Sequence, residues 1–235
     1  MSSFSLKMIA LLTMICDHVG YTLFPGFLVL RAVGRLAFPI YAFLVAEGYR
    51  KTSNPNKYAM RLAIFAVISE IPFDMVFFNS PLYMEGQNVF LTLLLGLLAV
   101  MTYDRLTKRR MQAAAMISVL ACALAASVLK TDYEFVGVLM IFVFFVCKDN
   151  TSKAVWITVL AAANAATQIL SAEVIGYDIL FWGGLQLLEI AALPIIFSYN
   201  GKLGPRLKYF FYAAYPVHLL ILYVIVHWKG IFGMQ

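Results

Sequence analysis

Apolar runs of membrane-crossing length recur along this chain, separated by short polar breaks. A helix that crosses a bilayer needs about 20 largely apolar residues. On that template nine segments qualify: 4–24, 28–49, 58–78, 89–104, 111–129, 133–147, 154–171, 180–199 and 209–228. The sixth is short, and the second and third carry several charges. The pattern predicts an all-α, polytopic integral membrane protein with about nine transmembrane helices in one bundle. The breaks carry ordinary turn chemistry, as in "TSNPNK", "KDNTSK" and "NGKLGPRLK". No polar stretch is long enough to fold separately, so residues 1–235 read as a single domain.

Composition agrees with that reading. The chain is 63% hydrophobic and 13% charged, whereas soluble domains run at about 45–50% apolar and about 25% charged. The net charge of +6 does not point to nucleic acid, because the basic residues flank the spans. If the nine spans alternate in direction, fourteen of the 18 Lys and Arg fall on one side. The other side has Arg31, Arg35, Lys130 and Lys229. The positive-inside rule then predicts a cytoplasmic N-terminus and an outer C-terminus. Cys16, Cys122 and Cys147 lie in apolar runs without metal-ligand spacing and read as small apolar residues. Asp17 and His18 interrupt the first apolar run and no small-residue cleavage site follows. It reads as an uncleaved membrane helix rather than a signal peptide.

Ionisable residues inside a membrane are functional candidates, because each costs at least about 2.5–3.5 kcal/mol to insert. With Lys7 at the inner interface, His18 lies roughly 16 Å deeper along a helix, and from Lys208, His218 lies roughly 15 Å deeper. Both depths are near the middle of a core about 30 Å thick. Two histidines from opposite ends of the chain thus reach one level, while His227 falls at the outer end of its span. Arg31 and Arg35 are one turn apart and share a face; Glu70 and Asp74 have the same spacing, with Pro72 between them expected to disturb the helix. Asp132, Glu134, Glu173 and Asp178 fall at or near outer span ends. The pattern predicts a polar cavity in the outer half, floored by the two histidines. The plainer reading of Arg31, Arg35, Glu70 and Asp74 is a structural ion-pair network.

A histidine at mid-depth can take and return a proton at physiological pH. That suits acyl transfer, with the imidazole deprotonating an amine or hydroxyl. It also suits proton-coupled transport of a small polar solute, although no inverted repeat is visible. A third reading is an assembly factor in which buried charges only hold helices together. A metal site would need more His or Cys ligands than two scattered histidines supply.

The segments "LKMIALLTMICDHVGYTL", "RAVGRLAFPIYAFLVAEGYRKT", "YAMRL", "SEIPFD", "NVFLTLLLGLL" and "FYAAYPVHLLIL" together resemble the TraX family. Its conjugative-pilus member acetylates the N-terminus of pilin. The likeness covers nearly the whole chain, in order. The family is similar in turn to the transmembrane acyltransferases of acyltransferase family three, in which a basic residue, ten residues and a histidine occupy the first helix. Lys7 and His18 have that spacing. The Arg-x-x-Arg pair of that family is here Arg31-x-x-x-Arg35, one residue longer.

The resemblance implies acetyl transfer from cytoplasmic acetyl-CoA to a peptide or glycan acceptor near the outer face, with N-acetylation favoured over O-acetylation. It implies that His18 is the general base or a transient acyl carrier, with Asp17 positioning groups around it. Arg31, Arg35 and Lys7 would bind the donor or another anionic group, or polarise the thioester oxygen. Glu70, Asp74, Asp132, Tyr215 and His218 would line the acceptor cavity. Neither a metal nor nucleic acid is expected.

Overall fold

The computed structural model describes residues 1–171, 178–205 and 207–232, and side chains except those of 170–171, 178–182 and 229–232. Glu173, Arg206 and the side chains of Asp178 and Lys229 lie outside the described residues. Among those described, the fold is all helical, with one isolated bridge between Gln87 and Thr131.

The helices are α1 (Ser3–Thr22), α2 (Leu28–Gly34), α3 (Ala37–Lys51), α4 (Pro55–Phe77), α5 (Val89–Lys108), α6 (Gln112–Val128), α7 (Glu134–Val146), α8 (Asn150–Ser171), α9 (Asp178–Leu187), α10 (Leu193–Phe197) and α11 (Lys208–Phe232). A 3-10 turn over Leu188–Ala192 joins α9 to α10. Among the described residues, four helical segments are long and apolar enough to cross a membrane: Ser3–Thr22, Leu28–Lys51, Val89–Lys108 and Lys208–Trp228.

Helix starts follow local chemistry. Ser2 accepts from Ser5 N at 3.1 Å, Asn54 from Lys57 N at 2.9 Å and Asp149 from Ser152 N at 2.7 Å, each satisfying an N–H that lacks an intrahelical partner. The carbonyls of Lys202 and Leu203 take the N–H groups of Ser3 and Phe4 at 2.8 and 3.0 Å. This ties the loop before α11 to the start of α1.

Two expected spans are broken. The 28–49 segment divides between α2 and α3 at Arg35 and Leu36. Pro39 explains the place: it has no N–H for the Arg35 carbonyl four residues earlier, and its ring crowds that carbonyl. The 180–199 segment divides into α9, the 3-10 turn and α10, with Pro194 opening α10. Conversely, α4 runs through Pro72 to Phe77 without interruption. Cys16, Cys122 and Cys147 are free and half-buried rather than core residues.

Helix α1 packs on α2, α3 and α11, while α5 packs on α4, α6 and α7. Ile40, Leu97, Val100, Met140, Ile141 and Phe144 are fully enclosed. A Cβ on Gly137 would lie 2.6 Å from Thr92 and 2.8 Å from Phe38; its absence lets α7 approach α5 and α3. The outward faces are apolar too. Met60, Ile64, Val67, Ile68 and Ile71 form one exposed stripe on α4, and Val217, Leu220, Ile221, Val224 and Trp228 another on α11. Apolar stripes of this extent are unfavourable in water and natural in hydrocarbon. The chain is a membrane protein.

Asn88 joins α4 to α5. Its Oδ1 caps Phe90 N at 3.0 Å, and its amide donates to the Ala66 carbonyl at 2.8 Å and to Glu70. Asn88→Ala is expected to cost about 2–4 kcal/mol, from the lost cap and the stranded buried acceptors. Denaturant unfolding of the purified protein in detergent measures it; an unchanged midpoint would remove Asn88 from this role.

Candidate active site

His18, near the C-terminal end of α1, and His218, two residues after Pro216 in α11, meet directly. Nδ1 of His18 lies 2.6 Å from Nε2 of His218. The rings are 17° from coplanar, with centroids 4.9 Å apart. The nitrogens are therefore much closer than the ring centres, and the rings meet edge to edge.

One carbonyl fixes the protons of this pair. His218 Nδ1 lies 2.8 Å from the Ala214 oxygen. A carbonyl can only accept, so that nitrogen carries hydrogen and donates. In a neutral His218, Nε2 is then the lone pair, and His18 must donate to it from Nδ1. His18 Nε2 is left as the unprotonated nitrogen, the form a general base requires. Phe77, at 5.2 Å between ring centroids, and Tyr215, at 6.0 Å, enclose the His18 ring.

Asp17 does not orient His18; it turns toward α2. Its Oδ2 binds Arg31 at 2.8 Å and Arg35 at 2.6 Å, and Arg31 also donates to the Asp17 carbonyl at 3.3 Å. These side chains are only 11–14% exposed, so the pairing removes much of the cost of burying them. Gly34 permits it, because any Cβ there would overlap the Asp17 side chain. Arg35 continues to Gln186 Oε1 at 3.2 Å, and Asn164 donates to Glu189 at 2.8 Å and Gln186 at 3.5 Å.

Asp132 lies in the loop between α6 and α7. The backbone there is left-handed at Tyr133 and Glu134, with φ of 64° and 40°, a conformation that costs non-glycine residues energy. Hydrogen bonds of 3.0 and 2.9 Å to Gln87, the hydroxyl of Thr92 on the Asp132 carbonyl, and the Tyr133 ring stacked 3.8 Å from Phe38 hold it in place. Asp132 is an exposed residue, with protein packed close around its carboxyl group. That desolvation pushes its carboxyl up to about 6, against the opposing pull of Arg35 and Arg31.

The structure thus brings His18, His218 and Tyr215 together, and gathers Asp17, Arg31 and Arg35 beside them. It does not give the arginines to Glu70 and Asp74. Glu70 accepts from Asn88, and Asp74, 1% exposed, accepts from Tyr83 N at 2.8 Å. Both carboxylates hold the segment between α4 and α5. Lys7 stands apart from the arginines, on a cavity of about 500 Å³ whose lining also includes Met14 and Tyr215. His227 is exposed and bonded to the Tyr223 carbonyl at 3.0 Å.

Sequence reasoning missed Glu189, Asn164 and Gln186. Glu189 is 0% exposed, a lone carboxylate in "LLEIAALP". The cost of placing a charge in an apolar run, which singled out Asp17, would have found it. The two amides carried no such signal.

The TraX protein family matches residues 2–226 of this chain. A probable fimbrial assembly protein, FimC of serogroup H1, from Dichelobacter nodosus is 29% identical over 94% of both chains. An uncharacterised protein of Rickettsia prowazekii is 31% identical over 39% of this chain and 33% of its own. No solved structure matches.

Asp17→Asn leaves two buried guanidinium groups without their carboxylate and is expected to cost about 3–5 kcal/mol. Denaturant unfolding followed by tryptophan fluorescence reads this loss. A midpoint equal to that of the unaltered protein would mean the ion pairs are not formed.

Proposed function

The chain belongs to the TraX family, and from that membership we propose an integral membrane acetyltransferase. It moves an acetyl group from cytoplasmic acetyl-CoA to an amine, on a peptide N-terminus or an amino sugar, or to a hydroxyl near the outer face. The observation that carries this reading is the His18–His218–Ala214 relay, which leaves His18 Nε2 as an unprotonated base.

In the proposed reaction the acceptor nitrogen or oxygen attacks the thioester carbonyl carbon while His18 Nε2 takes its proton. The new C–N or C–O bond forms, the C–S bond breaks, and the imidazolium returns the proton to the leaving sulfur, giving free CoA thiol. No net oxidation or reduction occurs. A positioned base of this kind contributes about 10²–10⁴-fold. His218 holds the His18 tautomer as a positioning residue. Arg31 and Arg35 act electrostatically on His18 and are the proposed stabilisers of the oxyanion. Asp132, from the loop side, and Tyr215, against the histidines, line the approach of the acceptor.

The proposed topology has nine crossings in a bacterial cytoplasmic membrane, with the N-terminus cytoplasmic. The fourteen-to-four division of basic residues supports it. The described helices fall on all nine apolar segments. The Dichelobacter relative's name, a fimbrial assembly protein, favours a peptide acceptor presented from the outer side.

Two experiments test this. With radiolabelled acetyl-CoA and purified protein, His18→Gln is expected to lower kcat by about 10²–10⁴-fold with the fold intact; full transfer by that variant would reject the assignment. In intact cells, a membrane-impermeant maleimide is expected to label a cysteine placed at Met84 and to spare one placed at Arg109. The reverse pattern would invert the orientation.

A further inference from the structure

The cavity beneath the histidines has two unlike ends. Its mouth is cationic: Lys7 on α1, Lys51 on α3, Arg61 on α4 and Lys208 at the start of α11 converge there. Its deep end is lined by Met14, Phe90, Leu93 and Tyr215, all 7% exposed or less. Met14 is one helical turn from His18, and the Tyr215 ring touches both histidines, with centroids 6.0 and 5.5 Å away.

The mouth lacks counter-charge. Among the described residues Glu47 is its one lining carboxylate, and it is already taken by Arg50 at 2.7 Å and Lys51 at 3.7 Å. Lys51 also donates to the Tyr199 hydroxyl and the Gly201 carbonyl, each at 2.5 Å. Among the described residues no carboxylate forms an ion pair with Lys7, Arg61 or Lys208. Lys7 and Lys208 are close enough to repel each other. Arg61 bonds the Tyr212 hydroxyl, yet its Nε is buried without a hydrogen-bond partner. Three cations on three helices, held together without an anion, form a site for a polyanionic group.

We infer that Lys7, Arg61 and Lys208 bind the phosphates of the CoA nucleotide at this mouth, and that the neutral arm of the cofactor rises through the cavity to place its thioester beside His18. The inference rests on the acyl-donor reading above and assigns its phosphate site to the inner mouth rather than to Arg31 and Arg35, which Asp17 engages. From Lys7 to His18 the helix rises roughly 16 Å, so the occupant must carry charge at one end and a long uncharged chain at the other. An anionic phospholipid offers a similar head group. Its two acyl chains, however, would have to leave a cavity whose deep wall is made of core residues rather than lipid-facing ones.

The test compares acetyl-CoA with acetyl-pantetheine, which keeps the arm and thioester but lacks the nucleotide phosphates. In Lys7→Gln, Arg61→Gln and Lys208→Gln, KM for acetyl-CoA is expected to rise about tenfold or more, the equivalent of about 1.4 kcal/mol, with kcat little changed. KM for acetyl-pantetheine should stay at the unaltered value, which also shows that each variant is folded. KM values that rise together for both donors, or that do not move, would overturn the assignment. Calorimetric CoA binding to the unaltered protein in phosphatidylcholine nanodiscs, with and without phosphatidylglycerol, separates the two phosphate sources. Equal affinity supports the nucleotide; weakening by phosphatidylglycerol that CoA cannot displace means a lipid site and overturns it. Loss of CoA binding in the three variants from a protein that transfers no acetyl would sink the enzymatic reading and leave this site standing. Robust transfer with unaffected variants would do the opposite.

Discussion

Two guanidinium groups share one carboxylate oxygen inside an apolar bundle, and the surrounding architecture follows from that need. Asp17 can bind Arg31 and Arg35 together only because α2 lies directly against α1. That contact needs Gly34 to have no side chain and needs the chain to break at Arg35, where Pro39 withholds an N–H. Without the carboxylate, each arginine would carry the full penalty of an uncompensated buried charge. The same turn of α1 then presents His18, about 100° around the helix from Asp17, toward α11 instead of α2. The ion pairs and the histidine contact are two faces of one helix position, and each fixes the other's rotation.

Along the axis of the bundle the polar groups fall into two levels with different chemistry. Lysines and an arginine line the cavity at one level, with Lys7, Arg61 and Lys208 in no ion pair among the described residues, and a tautomer-fixed histidine pair occupies the other, with a compensated set of Asp17, Arg31, Arg35, Gln186, Asn164 and Glu189 beside it. Among the described residues the cavity level leaves Lys7, Arg61 and Lys208 without counter-ions. A binding site differs from structural glue in this way: glue is electrically closed, while a site for a charged ligand is left open until the ligand arrives.

The loop carrying Asp132 shows where conformational strain is held. Two consecutive left-handed residues, Tyr133 and Glu134, persist because Gln87, Thr92 and Phe38 constrain them from three directions. That arrangement sets the Asp132 carboxyl where Arg31 and Arg35 can act on it.

The linear pattern of apolar runs was enough to locate the helices, because hydrocarbon forces every backbone polar group into local hydrogen bonds. That His18 and His218 reach a common level was equally legible, since helical rise is constant, and their contact at 2.6 Å agrees with it. The charges of Asp17, Arg31 and Arg35 were conspicuous for the same reason, and Glu189 was open to the same reasoning. Partner choice was not legible. Arg31 and Arg35 could have met Glu70 and Asp74 instead of Asp17, and one-dimensional spacing gives no rotation of one helix against another. Only the packed bundle set those rotations. It joined two histidines 200 residues apart, gave Glu70 and Asp74 to the segment between α4 and α5, and enclosed a cavity with cations from separate helices. A cavity is a property of surfaces that face each other, and sequence order does not specify which surfaces those are.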